Sequence, residues 1–262
     1  RHEWVTPLCS LNGVWIETDV YVCATPDEQK VLYFAREKKG HEGVKGTVTE
    51  DFQGILVHDH ETTFYKYGNA HQECLAHVQR YLKDSMENEP SLTWHRKMRE
   101  LIREMVHYRN EHADDAHLDP KIVSDFEGKY QEILEKAKEE YILHDPSPYY
   151  RDGYNLYLRM QKYKTQHLLF LHDMRVPTTN NTAERCLRDY KRKQTFAMTF
   201  RSFESIEELC QSKGVLLGVR KNNPNLYTAV KEFLIANMKP YRYFILNKSN
   251  WLICRRQIYS YT

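Results

Sequence analysis

An α/β fold, with a mixed sheet flanked by helices, is predicted for this 262-residue chain, and three observations predict it. Short runs rich in β-branched and aromatic residues stand near the start, where turn-forming residues separate them. One compact apolar run, Gly54-Ile55-Leu56-Val57-His58-Asp59, ends in an acid, as a buried strand does when its carboxyl end opens onto a site. Two long segments then carry apolar residues at intervals of three and four, the period of amphipathic helices.

Taken in order, Val5 to Leu11 reads as an early strand before Asn12-Gly13 and is expected to join a meander. Val20 to Thr25 and Val31 to Phe34 read as a hairpin, with Pro26-Asp27-Glu28 as its turn. The helical segments run from Leu92 to Arg109 (Met98, Leu101, Ile102, Met105, Val106) and from Ile122 to Tyr141 (Phe126, Tyr130, Ile133, Leu134, Ala137, Tyr141). The polar stretch from His112 to Pro120 joins them into a helical hairpin, and Pro146-Ser147-Pro148 closes the region. Helix-rich sequence resumes from Asn155 to His172, then from Ile206 to Arg220 and from Leu226 to Met238 after Asn222-Asn223-Pro224. The tail from Lys239 to Thr262, aromatic and basic, has no assigned place.

Composition narrows the function. A hydrophobic content of 41% fills a sizeable core. A mean hydropathy of -0.74, without any long apolar run, excludes a membrane-spanning helix. The six cysteines include no C-x-x-C pair, which fits reduced thiols in a cytoplasmic protein. No signal-peptide pattern is present, and the chain starts at Arg1 rather than Met, so residues are expected upstream. The net charge is only +2, yet Arg185, Arg188, Lys191, Arg192, Lys193 and Arg201 crowd one stretch against a single acid, Asp189. Local positive charge of this kind suits a polyanion.

Two acids frame the chemistry. Asp59 ends the apolar run, and Glu184 follows Asn180-Asn181, which are helix-capping residues. Converging carboxylates beside basic residues suit magnesium-dependent phosphoryl transfer, since magnesium takes one or two carboxylates and keeps water and phosphate oxygens. A plainer reading has Asp59 capping a helix and Glu184 pairing with Arg188 one turn on. Cys74 and His77 have a spacing compatible with zinc but lack the second ligand pair of a closed site. A buried Cys74, with His77 and Arg80 on a helix face directed at the site or at nucleic acid, is the preferred reading.

Three segments together carry a family resemblance: Gly54 to Asp59, then Cys74-x-x-His77-x-x-Arg80, then Val176-Pro177 with Asn180-Asn181-x-x-Glu184-Arg185-x-x-Arg188. With Glu37-Lys38-Lys39-Gly40, and Arg192-Lys193 to Phe200-Arg201, the chain resembles the DDE transposases of the insertion-sequence sixty-six (IS66) group over roughly residues 20 to 235. The resemblance implies an RNase-H-like mixed sheet flanked by helices, with a helical insertion. Residues 1–88 and 151–238 would form the two parts of the catalytic core, 89–150 the insertion and 239–262 a tail. It implies Asp59 and Glu184 as the second and third metal-binding acids, with Mg2+ as cofactor and Mn2+ as a substitute. Asn180, Asn181 and His77 would shape the site, and Arg185, Arg188, Lys191, Lys193 and Arg80 would hold DNA. The implied reaction is cleavage at transposon ends followed by strand transfer to target DNA, by a homo-oligomer acting at the bacterial nucleoid in the cytoplasm. The first acid departs from the family pattern: Trp4 stands where Asp is expected before Thr6-Pro7, so Glu3 or a residue before Arg1 is expected to serve. The same departure raises an alternative, a catalytically impaired DNA-binding or assembly protein derived from such an enzyme.

Overall fold

The computed structural model describes residues 8–11, 14–17, 19–146, 148–197, 200, 202–222, 225, 227–229, 231 and 251–257. They form a mixed α/β structure in two compact units, one of residues 1–69 with 180–262 and the other of residues 70–179.

In the first unit, β1 (Leu8–Leu11) and β2 (Val14–Glu17) pair antiparallel, with Leu11 opposite Val14. The expected early strand therefore exists, but it does not extend the meander. It pairs within a separate two-stranded sheet, because only two positions connect it to β2. Those two, Asn12 and Gly13, lie outside the described residues, as do Val5, Thr6 and Pro7.

β3 (Asp19–Ala24) and β4 (Val31–Arg36) form the predicted hairpin. Its loop closes on side chains: Gln29 N donates to Asp27 Oδ1 (3.0 Å), Lys30 N donates to Thr25 Oγ1 (3.1 Å), and Glu28 takes a φ of 57°. β3 is buried along its whole length, whereas β4 alternates between buried and half-buried positions. A central strand is thus covered on both faces and its neighbour on one. α1 (Gly40–Val44) follows. It approaches β3 so closely that a Cβ on Gly43 would lie 2.4 Å from the Tyr21 hydroxyl and 2.3 Å from the Lys38 carbonyl oxygen. Tyr21, Cys23, Val44, Phe52, Leu56 and Phe64 pack as one cluster around this contact.

β5 (Ile55–His58) is the predicted buried strand. The strand beside it is β7 (Trp251–Gln257), which comes from the tail that the sequence left unplaced. In this unit the strands run β4-β3-β7-β5, with β7 antiparallel to β3 and parallel to β5. Two helices cover them. α7 (Asn181–Ala197) packs on β3 and β7, and α8 (Phe203–Asn222) packs on β4. Tyr33 of β4 stacks on Tyr190 at 6.2 Å and donates its hydroxyl to the Cys186 carbonyl (3.0 Å), which fixes α7 against the sheet. Most of the helix expected from Leu226 to Met238 lies outside the described residues.

The second unit holds β6 (Ala70–Glu73) and five helices: α2 (Leu75–Asn88), α3 (Trp94–Glu111), α4 (Pro120–Leu143), α5 (Asp152–Lys162) and α6 (Lys164–His172). α3 and α4 are the predicted hairpin, and they bury Met98, Leu101, Ile102, Met105, Phe126, Tyr130, Leu134, Ala137 and Tyr141 as their spacing requires. α4 starts as its sequence dictates, with Pro120 in the first turn and Asp119 Oδ1 accepting from Lys121 N at 2.8 Å. Two buried polar groups hold the helices together. Glu73 lies 3.2 Å from His167 Nε2 and 3.7 Å from Arg159 Nε, and His167 Nδ1 meets the Tyr130 hydroxyl at 2.8 Å. Glu89 Oε2 meets His95 Nε2 at 3.1 Å and accepts from the Tyr141 hydroxyl at 2.9 Å.

Candidate active site

The sequence places Asp59 at a strand end, and the structure shows what holds it there. Leu56, Val57 and His58 are fully buried, so β5 is anchored up to its last residue. The chain then turns sharply: the Asp59 carbonyl lies 2.5 Å from His58 Nδ1 and accepts from Glu61 N at 2.7 Å. His58 is itself wedged edge-on against Tyr65 at 4.9 Å. Asp59, half-buried, therefore follows the carboxyl end of a strand that has a parallel neighbour, the position where ligands gather in open sheets.

Glu184 sits in the first turn of α7. Its N–H donates to the carbonyl of Asn180 (3.1 Å), which is fully buried, and the exposed Asn181 opens the helix. An acid there is favoured by the helix dipole. The ion pair with Arg188 exists, but at 4.0 Å it is at the outer limit of contact, and the arginine side chain is 66% exposed. A pair so long and so exposed contributes little to holding Glu184 in place. Asp59 and Glu184, distant in sequence, lie in the same compact unit, where β7 pairs with β5 and packs on α7.

The basic run divides into two groups. Arg185, Arg188 and Arg192 recur at three- and four-residue spacing and are exposed, as is Lys193; Lys191 is half-buried. Arg185 is paired with Glu28 in the β3–β4 loop, and Arg192 meets Asp189 at 3.5 Å. Lys213 of α8, which the sequence reading missed, is mostly buried, with its ammonium 3.8 Å from Asp189 and over the Tyr33 ring. Burial pulls its pKa below the ordinary lysine value. Its separation in sequence from the basic run hid it.

In the other unit Cys74 is buried at the N-terminal boundary of α2, as expected. His77 is buried and near Tyr81 (ring centroids 6.4 Å apart), and Arg80 is exposed one turn on. Leu75 N donates to Thr178 O (2.9 Å), which ties the segment after Cys74 to the segment after Pro177. Glu3 and Trp4 lie outside the described residues.

Comparison with known proteins gives one finding: residues 16–207 match the profile described as Transposase IS66 family. No curated protein and no solved structure matches the chain.

Proposed function

Because the chain belongs to the IS66 family of transposases, we propose that it cleaves DNA strands at the ends of an insertion sequence and transfers them to target DNA, using an RNase-H-like core. The observation that carries this reading is Asp59 at the end of a buried strand, in the same unit as Glu184 at the start of a helix whose following turns expose Arg188 and Lys193.

Two carboxylates are a donor set that Mg2+ accepts, so Asp59 and Glu184 are the residues that would hold it. Bound there, the metal would activate the attacking oxygen and stabilise the leaving one. Glu3 or a residue upstream of Arg1 would complete the set. Asn180, Asn181 and His77 would shape the site, and Arg185, Arg188, Lys191, Lys193 and Arg80 would hold backbone phosphates without reading sequence. Residues 1–88 and 151–238 would make the core, 89–150 an insertion and 239–262 a tail, and the active form would be a homo-oligomer on paired DNA ends. No helix among the described residues is long and apolar enough to cross a membrane.

The test uses the full-length encoded protein with DNA carrying its element's ends and Mg2+. Asp59→Ala and Glu184→Ala are each expected to reduce strand transfer by at least about a hundredfold while DNA binding stays within about twofold. Unchanged strand transfer in both variants would remove these acids from the chemistry.

A further inference from the structure

We propose that the cleft between α2 and α3 seats one nucleotide of an unpaired DNA strand, with its phosphates held by Arg99 and Arg103. The inference rests on the DNA-acting function above and assigns a second contact surface, apart from the basic run on α7. The cleft has a volume of about 470 Å³ and is lined chiefly by Leu75, Gln79, Arg99, Ile102, Arg103 and Val106. That size falls within the roughly 300–1,000 Å³ of small-ligand pockets. Residues 99, 102, 103 and 106 of α3 form a single stripe at three- and four-residue spacing, so one helix supplies both the cations and the apolar wall.

The charge on the two flanks of α3 is segregated. On one flank Glu100 and Glu104 share a groove with Lys97, Lys129, Glu132 and Lys136, where the signs are mixed. On the cleft flank the lining contains no carboxylate. Besides the arginines its one titratable group is His107, whose Nε2 is 3.3 Å from Glu111. Neither Arg99 nor Arg103 makes an ion pair among the described residues, and Arg99 Nε is buried without a hydrogen-bond partner there. The Gln79 side chain donates to the Arg99 carbonyl (3.0 Å), and its Oε1 is likewise buried without a partner. A buried guanidinium nitrogen and a buried amide oxygen with nothing to bind are costly unless a ligand satisfies them.

A nucleotide supplies what is missing: phosphate oxygens for the arginines, an amino or hydroxyl donor for Gln79, and a sugar and base face for Leu75, Ile102 and Val106. A duplex would present its phosphates while keeping base faces stacked inside, so the apolar wall favours an unpaired strand. Thr178 and Thr179 continue the lining, and Leu75 N donates to Thr178 O. The cleft thus abuts the chain segment that follows Cys74 and the one that precedes Asn180.

The experiment is fluorescence anisotropy of the full chain with a labelled single-stranded oligonucleotide and with its duplex, across a salt series. Arg103→Gln and Arg99→Gln are compared with Arg96→Gln, which removes the same charge from an exposed site on α3 that does not line the cleft. The double variant R99Q/R103Q is expected to bind the single strand about tenfold more weakly, and each single variant to lower the salt slope by about 0.7. R96Q is expected to stay within about twofold of the parent. Equal losses from R96Q and R103Q, or losses confined to the duplex, would overturn the cleft while leaving the DNA-acting reading in place. A parent chain that binds neither DNA form would overturn both. Thermal unfolding reports whether Arg99 variants fold; if they do not, the exposed Arg103 carries the test alone.

Discussion

Gly153 shows how one residue can hold a unit together. A Cβ at this position would lie 1.7 Å from Glu89 Oε2, the same oxygen that accepts from Tyr141 and meets His95. Retreat of the carboxylate would break its contacts with two buried partners, Tyr141 and His95. Gly153→Ala is expected to destabilise the chain by about 1–3 kcal/mol, the usual cost of overpacking, despite the better helix propensity of alanine. Chemical denaturation would check this, and a neutral or stabilising result would show that Glu89 can move freely. Residue-scale legibility was uneven. Asp59 was visible because an apolar run leads directly to it, and Glu184 because two asparagines precede it. The pairing of Arg185 with Glu28 was not visible, since nothing local joins the β3–β4 loop to α7.

At the scale of elements, α3 begins without a side-chain cap of its own, and Glu140 of α4 supplies one. Glu140 Oε2 accepts from Thr93 N (2.9 Å) and Trp94 N (3.2 Å), and Oε1 meets the Thr93 hydroxyl. Glu140→Ala is expected to cost about 0.5–2 kcal/mol and to release the first-turn amides of α3 in hydrogen exchange. Protection equal to that of the parent would show the cap to be idle. The helical period identified which face of α3 and α4 turns inward, but not how deeply each position sinks. Val106 and Ile133 have the right spacing and are only half-buried, because each lines a groove at the edge of the packed face. β6 escaped the reading because Ala70-His71-Gln72-Glu73 lacks both alternation and β-branched residues. What orders it is tertiary: Gln72 donates to His167 O (3.3 Å) and accepts from Phe170 N (2.9 Å), and Glu73 meets His167.

At the scale of the whole molecule, β7 is the decisive element. It fills the place between β3 and β5, outside the 16–207 segment that matches the family. A chain truncated before Trp251 leaves β3 and β5 without their shared neighbour. The amides of β3 and β5 are then expected to lose hydrogen-exchange protection, while those of α3 and α4 keep theirs. Full protection of β3 and β5 in the truncated chain would show that β7 is dispensable. By itself the sequence determined the local features: the hairpin at Pro26-Asp27-Glu28, the α3–α4 pair and the two candidate acids each sit in a legible pattern. These follow from propensity, period and turn chemistry, which act over a few residues. Only the tertiary structure decided that residues 251–257 pair with β3 and β5, and that Asp59 and Glu184 share one unit. The reason is physical. Strand partners are chosen by backbone hydrogen bonds and burial between segments distant in the chain, and a run such as Trp251-Leu252-Ile253-Cys254 carries the tendency to pair without the identity of its partner.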